Sequence, residues 1–540
     1  MSRARVIVVI LICGVAIGAG GRLLVSSLGG GTTLSRTRLF DQVLGHVERN
    51  YVDSIDAGDL YRRAANGMVL ELHDPPSMIL DARRSREEQS STSGFRDGIG
   101  VQVDASESWL NVIAVLAGSP ADKAGLRAGD RILEVDGTPA FSSAGRERRP
   151  ISGAPGTQVT LLVERPGSPA HFNLTITRAT FHVAPVRHAF LMAPGVGYIQ
   201  LATFSDSAGT ELLHALTALR SQGAQKYVLD LRGDPGGLIS EAYLVAEAFL
   251  DKGQAIVTLR GRDRDSARTM VADATSPWRD VVLVVLVDGY SASASEIVAG
   301  AWQDHDRAAL VGSTTYGKGS AQSTFLLGGD AGELLLTTEL WYTPSGRSIQ
   351  RRHTSSRASG DGAADSASEL PLAQRKAYRT DAGRVVFGGG GITPDLIVTP
   401  QDSVDGLIGL ERALGKEGVH FRDAIVEVAA AARAAGAVHG STITVTPRDR
   451  EMVWKRAQGM GIKLSRAAFD SAAAGIDRVI GLEIARVAFS PDDAWKYRLQ
   501  SDRVAQAALA LVSGAPTEHD VLARAASRRA AHQEDAPRSK

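Results

Sequence analysis

The 540-residue chain has almost no cysteine: its single Cys13 lies in an apolar N-terminal run, so the rest carries neither a disulfide nor a thiolate metal site. Ile12 just before Cys13 suits a lipid-attachment site poorly. Net charge is also missing, with 60 basic residues against 60 acidic ones. That disfavours a general nucleic-acid binder, whose footprint should be basic. No internal repeat is visible. Acidic residues are absent before Asp41, whereas Arg3 and Arg5 precede sixteen uncharged residues, Val6 to Gly21. A basic segment followed by an apolar one has the form of an export signal. Gly18-Ala19-Gly20 offers small residues for cleavage. If the apolar stretch instead continues past Arg22 through Leu23-Leu24-Val25, it approaches the ~20 residues of a membrane anchor. In either case the positive end stays inside and the remainder is exported, to the periplasmic side of the inner membrane or into the medium.

A chain of this length holds about three domains, and 44% hydrophobic residues suffice for several cores. Residues 34–80 read as helical, with Leu39, Val43, Leu44 and Val47 at helical spacing and Asp74-Pro75-Pro76 as a stop. The charged, Ser-rich stretch 82–94 reads as a linker. Residues 95–180 form a small β-rich domain, in which Gly98-Ile99-Gly100-Val101 leads a strand. From 181 to 400 strand and helix alternate, the signature of an α/β core. Val281 to Val287 is an unbroken apolar run, as expected of a strand buried on both faces. The segment 353–383, rich in Ser, Ala, Arg and Asp, reads as an inserted loop. Residues 401–515 read as Ala-rich helices, and 516–540 as a disordered polar tail.

The chemistry concentrates at Asp288-Gly-Tyr-Ser-Ala-Ser-Ala-Ser-Glu296, which ends the apolar strand and opens a helix. A serine there lies near free N–H groups that favour negative charge, which suits attack that generates an oxyanion. Simple capping needs one serine; here Ser291, Ser293 and Ser295 alternate, and the residues alone do not choose among them. A serine hydroxyl needs a base. His305 lies about three helical turns from the strand end and should point away from it. Lys318, between Gly317 and Gly319 after a strand, is the better candidate; burial can lower its pKa far enough for the role. Gly312-Ser-Thr-Thr-Tyr-Gly-Lys318 has part of a phosphate-loop form, but Gly319 stands where Ser or Thr should hold magnesium, and strands follow instead of a helix. A nucleotide site is therefore discounted. Gly233-Asp-Pro-Gly-Gly237 offers unshielded N–H groups at another strand end, and the amide after the nucleophile would be a second oxyanion donor.

Ser291-Ala-Ser-Ala-Ser-Glu-Ile297, Gln303-Asp304, Tyr316-Gly-Lys-Gly319, Gln322, Asp230-Leu-Arg-Gly-Asp-Pro-Gly-Gly237 and Thr343-Pro-Ser-Gly-Arg347 resemble, in order and spacing, the carboxyl-terminal processing (tail-specific) serine peptidases. The resemblance spans about residues 40–400. It implies a multidomain α+β protein: a crotonase/Clp-protease-like α/β core, an inserted PDZ domain, and helical regions at both ends. It assigns Ser293 as nucleophile, Lys318 as base, Gln322 as the side chain that orients the lysine, and the amides of Gly237 and Ala294 as the oxyanion hole. Residues 98–137 resemble a PDZ domain with Gly98, Ile99, Gly100 and Val101 as its carboxylate-binding loop, so the substrates expected are C-terminal tails of exported proteins. No metal and no cofactor are expected, and a homodimer through terminal helices is. The alternatives are a non-catalytic PDZ scaffold, which should have lost the Ser, Lys or Gln, and the nucleotide-dependent enzyme already discounted.

Overall fold

The computed structural model describes residues 30–534 except 106–108, 143–146, 149–150, 166–169, 329–331, 352–373, 401–404 and 440–441. The export signal or anchor and most of the 353–383 insertion therefore lie outside the described residues. Among the described residues no helix is long and apolar enough to cross a membrane.

The chain forms two compact units, residues up to 85 with 322–337, and residues 86–321 with 338 onwards. In the first, helices α1 (Gly30–Asn50) and α2 (Ala57–Leu70) precede strand β1 (Met78–Leu80). Asp56 caps α2 by accepting the Asp59 N–H at 3.0 Å. Of the apolar residues at helical spacing in α1, Leu44 is buried while Leu39 and Val43 are exposed. β1 pairs antiparallel with residues 333–335. The expected linker after it is instead a helix, α3 (Ala82–Ser93). The Asp81 carboxylate accepts the Arg83 and Arg84 N–H groups and so starts that helix, despite the poor helix formers within it.

In the second unit β2 (Phe95–Gly98) and β8 (Ala179–His182) pair where the chain enters and leaves the small β domain. Between them, an antiparallel sheet runs in the order β7 (Phe172–Thr177), β6 (Gln158–Glu164), β5 (Arg131–Val135), β4 (Leu110–Val115), β3 (Val101–Ala105). Ile99, Leu110, Val112, Ile132, Val159, Leu161 and Val163 fill its core. β3 is one of its two edge strands.

The α/β core is a six-stranded sheet. Its order is β9 (Val186–Ala193), β10 (Val196–Leu201), β11 (Lys226–Asp230), β12 (Val282–Val287), β13 (Ala309–Gly312), β14 (Leu396–Ile397), parallel from β10 onwards. All six residues of β12 are buried. Leu283, Val285 and Val287 face helices α4 (Ala208–Ser221), α5 (Ile239–Glu247) and α6 (Ala294–Asp304), while Val282, Val284 and Leu286 face the other way. A sheet apolar on both faces needs a second cover. The C-terminal helices α11 (Pro491–Gln500), α12 (Arg503–Val512) and α13 (Glu518–Glu534) supply it through Leu499, Val504, Ala508, Leu511, Val521 and Leu522. The C-terminal region is thus two bodies. α7 (Leu407–Leu414), α8 (Gly418–Ala434), α9 (Pro447–Gly459) and α10 (Ala473–Ala488) form a bundle with its own core, and the last three helices belong to the α/β core's sheet. The tail expected to be disordered is helical over Glu518–Glu534. Its apolar content is small, but Val521, Leu522 and Ala525 share one buried face, and Glu518 accepts the Leu283 N–H at 2.8 Å.

The bundle also grips the β domain. Asn111 donates to Asp423 at 3.0 Å, Arg131 bridges Glu164 at 2.9 Å and Glu427 at 3.0 Å, and Arg486 donates to the Val112 carbonyl at 3.3 Å.

If α12 is an integral layer of the core, Leu511→Ala should lower stability by about 2–5 kcal/mol in urea unfolding; a loss below about 1 kcal/mol would show that the helix is dispensable.

Candidate active site

Three chain segments leave the carboxyl ends of β11, β12 and β13, the edge at which open α/β sheets bind their ligands. They are the Gly233–Gly237 turn, the Asp288–Ser293 turn and the loop holding Lys318.

The structure separates the three alternating serines. The Ser291 hydroxyl donates to the Leu231 carbonyl at 2.8 Å, and the Ser295 hydroxyl to the Asp234 carbonyl at 3.0 Å. Both residues are fully buried. Ser293 between them is partly exposed and sits at φ 55, ψ −111, a conformation that L residues rarely adopt. Such strain costs about 1–3 kcal/mol and persists only where surroundings enforce it. Gly236 is part of that enforcement: a Cβ on it would lie 2.6 Å from the Ala292 carbonyl oxygen and 2.9 Å from the Ser293 Cβ. Ser293 immediately precedes α6, so the Ala294 N–H is the helix's first free donor.

Gly237 lies at φ 151 and forms a parallel bridge with Phe204. That bridge uses the Gly236 carbonyl and the Leu238 N–H, leaving the Gly237 N–H outside it. A Cβ on Gly237 would sit 2.3 Å from the Phe204 carbonyl oxygen, so only glycine fits. The turn is anchored from behind. At the end of β11, Asp230 pairs with Arg232 at 2.7 Å and accepts the Tyr198 hydroxyl at 2.7 Å. Arg232 reaches on to Asp502 at 2.8 Å, and Trp495 donates to the Tyr198 hydroxyl at 2.9 Å. The C-terminal helices therefore support the turn directly.

The Lys318 loop is fixed on both sides. Gly319 donates to the Gln350 side chain at 2.7 Å, Arg351 donates to the Gly317 carbonyl at 2.8 Å, and Tyr316 donates to the Ser291 carbonyl at 3.0 Å. A strand, β15 (Ser320–Leu326), follows Lys318, so the helix that a phosphate loop needs is absent there. Lys318 itself is partly buried. Gln322 belongs to the first compact unit, where its side chain donates to Thr337 at 3.0 Å.

The group that joins the serine turn to the lysine loop is Glu296, which the sequence reading quoted only as part of a motif. Its carboxylate accepts the Ser293 N–H at 2.9 Å, the Lys318 N–H at 2.9 Å, the Gly317 N–H at 2.7 Å and the Thr315 hydroxyl at 2.5 Å. Burial pushes this carboxyl up from its ordinary value, and those same four hydrogen bonds oppose the rise. All four partners are donors, so the ionised form satisfies every one of them. The sequence signal was Glu at the third helical position after a Ser cap, a capping-box spacing; that it also serves a loop twenty residues on was not visible.

Other motif residues prove structural. Arg347 is buried against Asp304 at 2.8 Å and Gln303 at 2.8 Å. His305 lies between Asp381 and the Ala255 carbonyl, each at 2.7 Å, in keeping with a structural role. In the β domain Gly98, Ile99 and Gly100 are buried, and Gly100 at φ 80 packs so closely on Ser119 that a Cβ there would be 2.2 Å from the Ser119 Cβ.

Comparison with known proteins places these features in context. The Peptidase family S41 model matches residues 195–356 and a PDZ domain model matches residues 112–165. The carboxy-terminal-processing protease of Bartonella bacilliformis is 37% identical over 323 residues, covering 59% of this chain and 73% of that protein. The carboxyl-terminal-processing protease of Picosynechococcus sp. is 38% identical over 293 residues, covering 53% of this chain and 70% of that protein. Among solved structures, the photosystem II D1 C-terminal processing protease aligns at 29% identity over 58% of this chain and 89% of that one, with a TM-score of 0.35.

Glu296→Gln places an amide N–H₂ against two donors whichever way it turns. It should lower the melting temperature measurably; an unchanged melting temperature would show that the carboxylate does not hold the two loops together.

Proposed function

The chain belongs to peptidase family S41, among the carboxy-terminal-processing proteases, and is a serine peptidase with a PDZ domain; on that footing we propose that Ser293 is its nucleophile and Lys318 its general base. The observation that carries this reading is the placement of Ser293: strained, partly exposed and flanked by two serines whose hydroxyls are committed to carbonyls. Neutral Lys318 takes the Ser293 proton as Oγ attacks the scissile carbonyl carbon. The carbonyl oxygen becomes an oxyanion stabilised by the Gly237 and Ala294 N–H groups. Lys318 then returns the proton to the leaving amine, giving an acyl-enzyme, and a water activated by the same lysine hydrolyses it. Gln322 orients the lysine.

Substrates are C-terminal tails of exported proteins, recruited by the PDZ domain on the outer side of the membrane. Two features support recruitment: among the described residues β3 is an edge strand, to which a peptide can add as a further strand, and Gly98-Ile99-Gly100-Val101 leads into it with glycine backbone suited to holding a carboxylate. The exposed Leu39, Phe40 and Val43 of α1 support a homodimer through the N-terminal helices.

Ser293→Ala and Lys318→Ala should each abolish cleavage of an unstructured C-terminal peptide with the fold retained by circular dichroism; near-normal turnover in either would rule out the pair, and peptide binding without turnover by the wild type would favour a scaffold. Amidating the peptide's C-terminus should raise KM about tenfold or more with kcat little changed, whereas an unaltered KM would remove the PDZ carboxylate loop from recruitment.

A further inference from the structure

Asp234, in the middle of the Gly233–Gly237 turn, is fully buried. One carboxyl oxygen accepts the Gly236 N–H at 2.8 Å, while the other has no hydrogen-bond partner among the described residues. Its backbone carbonyl accepts the Ala292 N–H at 3.0 Å and the Ser295 hydroxyl at 3.0 Å. The residue thus grips the nucleophile turn on both sides of Ser293 and holds Gly236, the residue that abuts Ser293 and leads into Gly237. No cation is paired with the carboxyl. The charged group that acts on it is Arg187, from an exposed position; Arg232 is committed to Asp230 and Asp502, Asp288 accepts the Gly233 N–H at 3.0 Å, and the Glu296 oxygens are taken up by their own four donors. A fully buried carboxylate with an unmet oxygen and no ion pair among the described residues is an unfavourable charge. The same site accepts a neutral carboxylic acid without that penalty.

We propose that Asp234 is a positioning residue that works as a neutral acid, holding the Gly236–Gly237 turn in its donor conformation, and that loss of its proton to solvent disables the turn. Burial, acting against the Gly236 N–H, the Ser295 hydroxyl and the charge of Arg187, pushes the carboxyl up to about 8, which sets where the change falls. An anion at this position also opposes the negative charge that develops on the substrate carbonyl. The proposal rests on the reading of Gly237 as an oxyanion donor.

The test compares wild type with Asp234→Asn, which preserves shape and an acceptor for Gly236 but cannot ionise. The rise in rate with pH that comes from deprotonating Lys318 is common to both and cancels in the ratio. One unit above the midpoint the wild type should retain about a tenth of its plateau kcat/KM, so the variant-to-wild-type ratio should climb about tenfold between pH 7 and pH 9. Asp234→Ala, which removes the acceptor, should lower kcat at pH 7 about tenfold or more with KM little changed. A second readout does not need activity. The folded-state pKa lies above the unfolded one, so the stability of the neutral form is complete below about pH 4 and is lost as pH rises through about 8. The melting temperature of Asp234→Asn should therefore gain on that of the wild type across this window and then level off. A flat melting difference overturns the neutral acid. A melting difference without a change in the kcat/KM ratio overturns the link to the turn. If instead wild type and Ser293→Ala are equally active, the assignment of the site fails, and the melting comparison still decides the state of Asp234.

Discussion

The Glu296 carboxylate holds together two chain segments that are linked besides by the Tyr316 N–H, which donates to the Ser291 carbonyl at 3.0 Å. It binds the backbone N–H of Ser293 on one side, those of Gly317 and Lys318 on the other, and the Thr315 hydroxyl besides. Backbone bonds to a rigid carboxylate fix the start of each side chain, not its end, and that is what a serine and a lysine on separate loops require. The arrangement also accounts for the unfavourable φ of Ser293: the amide must face inward to reach Glu296, which turns the side chain outward. Four charge-assisted hydrogen bonds, each worth roughly 1.5–3 kcal/mol, are ample to hold about 1–3 kcal/mol of backbone strain.

Behind this constraint stands the sheet. Three neighbouring parallel strands end at one level, so the Gly233–Gly237 turn, the serine turn and the lysine loop emerge side by side. Glycines then allow backbone to meet backbone. Gly236 lies against the serine turn, Gly237 against Phe204, and Gly317 against Arg351 and Gly391, where added Cβ atoms would come within 2.6, 2.3 and 2.9 Å of their neighbours. The C-terminal helices complete the layer on the opposite face and reach the site through the Asp502–Arg232–Asp230 chain. A region that looks appended in sequence in this way supports the turn at the end of β11. The bundle preceding it is tied to the PDZ strands by Asn111, Arg131 and Arg486, so that domain is held by residues more than 250 positions away in the chain.

Much of this was legible in the residues. The apolar run 281–287 announced a strand buried on both faces, the serine cluster announced a strand-to-helix turn, and the alternation of strand and helix announced the α/β core. The serine cluster did not by itself identify its reactive member; the resemblance assigned it, and the geometry supports the same choice because it commits the hydroxyls of Ser291 and Ser295 elsewhere. Two regions misled. Residues 82–93 and 518–534 are so polar that periodicity gave no helical signal, yet each begins at a carboxylate or hydroxyl cap, and the second is held by three apolar side chains on one face.

The sequence by itself determined the class of chemistry, the candidate residues and the order of domains, because those follow from residue types and local spacing. Tertiary structure alone decided how the site is held: that Glu296 joins two loops, that Asp234 is buried with one carboxyl oxygen unmet, and that the last three helices close the sheet. The reason is physical. Local patterns encode which face of an element is apolar, but a buried carboxyl's role depends on which donors distant segments bring to it, and no spacing along the chain records that.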